Sequence, residues 1–278
     1  MTFQINPSKK ISVMFPTRGR PVQALSSMQS MIDTADNPHD IEFMIAIDDD
    51  DQKTIDYVES DMIPYFEEAD LDLYVFTQPR MGYHRLNEYT NILAQHSKGE
   101  WLCVWNDDAI MVSKGWDTEI LSHSGQFAVQ RFSDNHGHPY AIFPVIPRDW
   151  LILFGCVSPH VITDGWISQV AYICDAMIQL KSECIHDRAD LTGNNDDETY
   201  AERQPERLEG DMSNPKDFLY PPTAQLRIVW GYKMEWFRKR LGQDNGYLDK
   251  ARAGEYDVWT RMREHDPKGF LGTWKYEQ

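Results

Sequence analysis

Over its first two thirds the chain alternates short apolar runs with amphipathic stretches. Ile11-Ser12-Val13-Met14-Phe15, Ile41 to Ile47, Leu71 to Phe76 and Trp101-Leu102-Cys103-Val104-Trp105 are brief, rich in β-branched and aromatic residues, and bounded by turn formers, so they read as buried strands. Between them apolar residues recur at helical spacing: Val22, Leu25, Met28 and Ile32 after Pro21; Ile55, Val58 and Met62 after an acidic run; Leu86, Tyr89 and Leu93 between residues 84 and 97. Pro21 suits a first helical turn, and Asp51 suits an N-cap. The alternation predicts an α/β fold with a mostly parallel central sheet and helices on both faces.

Open sheets of this kind carry ligands at the carboxyl ends of their strands. The first run ends in Pro16-Thr17-Arg18-Gly19-Arg20-Pro21, which sets two guanidinium groups beside a helix amino terminus. That arrangement suits an anion, the competing reading being two solvated arginines in a loop. The second run ends in Asp48-Asp49-Asp50-Asp51, where Asp48 stands at the strand end and can accept hydrogen bonds from a base or ribose. Gly82 follows the third run, and Arg85 and Asn87 lie near the amino end of the next helix, expected to face the same sheet edge. The fourth run passes directly into Asn106-Asp107-Asp108, and a hard divalent cation beside a phosphate wants clustered oxygen ligands of this kind. Neither GxGxxG after the first strand nor GxxxxGK[ST] is present, which argues against Rossmann dinucleotide and P-loop sites.

Length and charge narrow the partners. The 278 residues suffice for one large domain, or one domain with an appendage, and 41% hydrophobic content fits a packed globule. A formal charge of −17 argues against nucleic-acid binding by the whole surface. No apolar stretch has signal-peptide or membrane-span length, so the expected location is cytoplasmic (host cytoplasm if the protein is viral), without a membrane partner. Cys103, Cys156, Cys174 and Cys184 show no CxxC spacing and read as reduced thiols. After about Gly193, Pro205, Pro215, Pro221 and Pro222 punctuate a polar stretch before two expected helices. Within it, Gln225 to Arg240 interleaves Arg227, Lys233, Arg238, Lys239 and Arg240 with Trp230, Tyr232, Trp236 and Phe237. This is either a nucleic-acid or sugar surface, or an amphipathic helix packing its aromatics inward.

In order, these features resemble the GT-A-type glycosyltransferases, in particular the family-2-like group that uses nucleotide-diphosphate sugars. The resemblance rests on the Pro16–Pro21 turn, Asp48, Gly82 with Arg85 and Asn87, the Ala94…Gly99-Glu100 pattern, and the Asn106-Asp107-Asp108 cluster in the place of the family's Asp-x-Asp. It continues through Phe143–Arg148, Asp164-Gly165-Trp166 and His186, and covers roughly residues 10–190. It implies a GT-A-like Rossmann-type sandwich over residues 1–190, with a donor half at about 10–110 and an acceptor half at about 111–190. Residues 191–278 would form a helical C-terminal extension packed on it.

The resemblance also implies roles. Pro16, Thr17, Arg18, Arg20, Asp48, Gly82, Arg85, Asn87, Asn106 and Asp107 would bind the donor, with a UDP-sugar the donor expected. Asp108 and His186 would hold Mn²⁺ or Mg²⁺, and Asp164 would be the catalytic base. Asparagine at 106 departs from the family's aspartate, which makes Asp108 the safer ligand and motivates an alternative, a non-catalytic nucleotide-sugar or partner-binding module of the same fold. Transfer with inversion is expected if Asp164 acts as a simple base. The acceptor stays open between a saccharide and a hydroxymethylated base in viral DNA, since soluble glycosyltransferases of both kinds are known. His136-Gly137-His138 reads as a loop, not a metal site.

Overall fold

In the computed structural model, which describes residues 9–187 and 221–257, eight strands form one mixed sheet in the order β3-β2-β1-β4-β7-β6-β8-β5. The strands are β1 (Lys9–Pro16), β2 (Ile41–Asp48), β3 (Asp72–Gln78), β4 (Gly99–Val104), β5 (Ala109–Met111), β6 (Val129–Asp134), β7 (Pro144–Pro147) and β8 (Met177–His186). The first four are parallel to one another, as the alternating pattern requires. Beyond β4 the sheet becomes mixed: β7 is antiparallel to β4 and β6, β6 is parallel to β8, and β5 is antiparallel to β8. Gly193, Pro205 and Pro215 lie outside the described residues.

Helices cover both faces because successive strand side chains point to opposite sides. Ile11, Val13, Phe15, Trp101, Cys103 and Trp105 join one core with helix α1 (Pro21–Thr34) and the helical segment α2 (Gln52–Tyr57), π-turn (Val58–Met62) and α3 (Ile63–Glu68). Met14, Met44, Leu102 and Val104 join a second core with α4 (Leu86–His96), α6 (Asp149–Phe154), α7 (Thr163–Ile173) and α8 (Pro221–Arg240). Short helices α5 (Trp116–Leu121) and α9 (Tyr247–Arg252) complete the set. Every residue of β2 is buried, which explains why central parallel strands read as continuous apolar runs.

Two packing details differ from the sequence expectation. Helix α1 buries Ala24, Leu25, Ser27, Met28 and Met31, leaving Val22 54% exposed. Its inner face is turned so that Ser27 can accept from Trp105 Nε1 (2.8 Å) and donate to the Ala109 carbonyl (2.6 Å). On α8, Arg227 and Arg238 point inward: Arg227 Nε donates to Gln169 Oε1 (2.6 Å) and Arg238 Nη1 to the Phe127 carbonyl (2.6 Å). Lys239 pairs with Asp249 at 2.5 Å, and Arg240 lies over the Trp236 ring. Trp230 and Met234 enter the second core, so much of the basic and aromatic character of this helix is spent on packing.

Cys103, Cys156, Cys174 and Cys184 are free, and burial raises each thiol above its ordinary range. No helix among the described residues is long and apolar enough to cross a membrane.

Candidate active site

Parallel strands β1, β2 and β3 end together, and the turns that leave them converge. Thr17 Oγ1 donates to Asp107 Oδ2 (2.8 Å), and Arg20 Nη1 lies 3.5 Å from Asp107 Oδ1. Asp107 therefore ties the β4 exit to the turn after β1. Arg18 Nη1 donates to Asp48 Oδ2 (3.0 Å) and to Asp50 Oδ1 (2.5 Å), and Arg80 approaches Asp50 at 3.8 Å. The hydrogen bond from Arg18 holds the Asp50 carboxyl below its usual range. Asp51 caps α2 as expected, accepting from Thr54 N (3.2 Å), and reaches across to Gly19 N at 2.6 Å.

Asp48 is 4% exposed, and its second oxygen accepts from the Tyr89 hydroxyl. That hydroxyl in turn accepts from the Met81 amide (2.7 Å). Burial first, and then the bond to Asp48, push the Tyr89 phenol up to about 12. Tyr89 was expected only as a core residue; its apolar ring does pack inward, while its polar tip joins the site, the usual division of labour for a buried tyrosine. Gly82, at φ +76°, makes the bend between β3 and α4 that brings Met81 and Tyr89 together.

The next two expected residues sit differently from the sequence reading. Arg85 makes a bidentate pair with Glu88 on the helix surface (2.8 and 2.6 Å). Asn87 is buried and donates to the Ser158 carbonyl (3.3 Å), so its amide faces the loop before α7 rather than open sheet edge. Asn91, one turn later, donates to the same carbonyl (2.8 Å) and accepts from Val157 N and Ser158 N. Two amides at i and i+4 on one helix face were the sequence signal for this strap. It anchors the loop leading to Asp164 against α4. Asp164 itself stands in the first turn of α7, with Oδ1 accepting from Gly165 N at 2.8 Å.

Asp108 and His186 are far apart in sequence, and β5–β8 pairing brings them together. Ala109 is paired with His186, and the Asp187 amide donates to the Asp108 carbonyl at 2.8 Å. Asp108 Oδ1 lies 3.4 Å from His186 Nε2, with both side chains almost fully buried. The Phe143 ring packs edge-on against the imidazole at 4.9 Å. Asn106 contributes its backbone carbonyl to Ser27 Oγ at 3.1 Å. A carboxylate and an imidazole facing one another fit a divalent cation. Among the described residues no group of three or more His, Cys, Asp or Glu is placed to hold a metal, so a cation here would complete its shell with phosphate oxygens and water.

No protein-family model and no curated protein matches the chain. Solved structures do match. The mannosyltransferase PcManGT from Pyrobaculum calidifontis, in complex with GDP-Man and Mn²⁺, is similar with a TM-score of 0.53 at 13% identity, over 98% of this chain and 89% of that one. S. aureus TarS 1–349 in complex with UDP is similar with a TM-score of 0.50 at 13% identity, over 89% of this chain and 92% of that one. The sheet order, the two helical layers and these likenesses agree: the chain has the fold of the GT-A-type nucleotide-sugar transferases.

Proposed function

We propose that this chain is a cation-dependent glycosyltransferase that moves a sugar from a nucleotide-diphosphate sugar to an acceptor hydroxyl. The observation that carries the reading is the Asp108–His186 pair at 3.4 Å, held by β5–β8 pairing directly after a β4 exit that Asp107 ties to Thr17 and Arg20. Such a pair beside an arginine-bearing turn suits a diphosphate leaving group. Similarity of fold to PcManGT and TarS, whose structures hold GDP-Man with Mn²⁺ and UDP respectively, supports the same donor class.

Each group then has a task. When bound, the cation supplies Lewis-acid stabilisation of the charge that develops on the leaving diphosphate. Asp108 and His186 would hold it, and the imidazole nitrogen would favour Mn²⁺ over the more oxygen-seeking Mg²⁺. Arg18 has a partly exposed guanidinium able to leave Asp50 for a phosphate, a charge-assisted contact. Asp48, set by Tyr89, accepts from the nucleoside. Asp164 takes the proton of the acceptor hydroxyl, and attack opposite the leaving group inverts the anomeric centre.

A saccharide-like acceptor is the better reading, because two of the basic residues that suggested a DNA surface on α8 are buried. The decisive measurement is transfer or donor hydrolysis with Mn²⁺ across a set of nucleotide sugars, comparing wild type with Asp108→Ala. Loss of turnover in the variant is expected; equal turnover would remove the cation site from the mechanism. Donor binding without any turnover would favour a non-catalytic module. Product stereochemistry by NMR checks inversion, and retention would sink Asp164 as a simple base. Tight, salt-sensitive DNA binding would restore the DNA acceptor.

A further inference from the structure

His186 ends β8, but its partner strand β6 stops at Asp134, so the ladder has no backbone left to hold the last residue on that side. Side chains of the following turn continue it. Asn135 Oδ1 accepts from the His186 amide at 2.8 Å, and His136 Nε2 lies 3.0 Å from the His186 carbonyl oxygen. A carbonyl only accepts, so this contact selects the His136 tautomer with its proton on Nε2, and Asn135 Nδ2 at 3.2 Å is then a crowding neighbour. The turn is itself braced: Asp134 Oδ1 accepts from His136 N (2.8 Å), Asp134 Oδ2 from His138 N (3.2 Å), and the Asp134 carbonyl from Gly137 N (3.2 Å). Gly137 takes φ +62°, which lets the turn close. His186 is thus gripped at both backbone polar groups by the turn, on its ring by Phe143, and on its other edge by β5.

We infer that Asn135 and His136 are positioning residues for His186, and that the 134–138 turn sets how well the Asp108–His186 pair receives a divalent cation. The inference rests on the proposed role of that pair, and adds to it two exposed residues outside the pair. Partners outside a metal's own ligands orient those ligands, and their loss commonly weakens metal binding about tenfold to a hundredfold. The two residues are exposed in a turn, so replacing them removes the grip on His186 without opening a core.

The test measures Mn²⁺ binding by loss of the free-ion EPR signal, for wild type, His136→Leu, His136→Gln, Asn135→Leu and Asp108→Ala. It is paired with the ring ¹³C–¹H NMR signal of His186, assigned through His186→Gln. Both leucine variants are expected to bind Mn²⁺ about tenfold to a hundredfold more weakly, and to shift or broaden the His186 signal even without metal. His136→Gln, which keeps a donor toward the carbonyl, should recover most of the loss. Wild-type Mn²⁺ affinity and an unmoved His186 signal in both leucine variants would overturn the inference. If Asp108→Ala binds Mn²⁺ like wild type while the His186 signal still moves in the leucine variants, the cation reading fails and the positioning of His186 stands.

Discussion

Gly99 opens β4 at a point where two parallel strands touch backbone to backbone. A Cβ at Gly99 would lie 2.5 Å from Ser12 N, 2.6 Å from Ser12 Oγ and 2.7 Å from the Ile11 carbonyl carbon. Two of these are backbone atoms, so the strain cannot be relieved by rotating a side chain. Gly99→Ala must therefore push β1 and β4 apart, an overpacking cost of about 1–3 kcal/mol. The same separation stretches a buried relay, in which Gly99 N donates to Ser12 Oγ (2.8 Å) and Ser12 Oγ to Glu42 Oε1 (2.6 Å). Weakening a hydrogen bond to a buried charged group adds about 1.5–3 kcal/mol. Together the loss is roughly 2.5–6 kcal/mol, which corresponds to a fall in Tm of roughly 5–24 °C for a chain of this size. Thermal unfolding followed by circular dichroism measures it. The double variant Ser12→Ala/Gly99→Ala separates the two contributions, because it removes the hydroxyl clash and leaves the backbone one. A Gly99→Ala protein melting within a degree of wild type would refute the backbone-clash reasoning. A double variant restored to the stability of Ser12→Ala alone would place the conflict in the hydroxyl instead.

Three further outcomes follow from the geometry. The Tyr89 phenol is raised in the folded state, so its contribution is fully present below the ordinary tyrosine range, near 10, and is lost as pH rises through about 12; unfolding free energy measured from pH 9 to 12 should fall less in Tyr89→Phe, and identical slopes would remove the phenol from the Asp48 network. At Gly231 a Cβ would lie 2.5 Å from Ile173 Cγ2 and 2.6 Å from Ile173 Cβ, so Gly231→Ala should cost about 1–3 kcal/mol despite the better helix propensity of alanine. In an Ile173→Gly background, which removes every contacting side-chain atom, the cost of Gly231→Ala should disappear, and additive effects in that cycle would mean the α7–α8 crossing is not the cause. Asp51→Ala removes the cap on α2 and the contact to Gly19 N, so it should cost about 1 kcal/mol and weaken nucleotide binding through the loosened Thr17–Arg20 turn; urea unfolding with calorimetric nucleotide titration reads both effects, and unchanged binding would uncouple the cap from the site.

The parallel half of the sheet and the residues at its strand ends can be read from the order of residues alone. A buried parallel strand reads as a near-continuous apolar run, as Phe43 to Ile47 of β2 do, and the helices between strands must repeat at helical spacing, so β1 to β4 and α1 to α4 were legible as pattern. Asp51 as a cap was legible for the same reason, since capping is a contact between neighbours in sequence. The phase of α1 was not, because burial of Ser27 depends on Trp105 and Ala109 from another element. Nor were the partners of Asn87, Tyr89 and Arg227, whose polar groups are satisfied by residues distant in the chain. That Asp108 meets His186 and that the turn after β6 holds it is decided by the fold, because both contacts join residues 50 or more positions apart that β5–β8 and β6–β8 pairing bring close. Periodicity reports which side of an element is buried; it carries no information about which distant residue completes a hydrogen bond there.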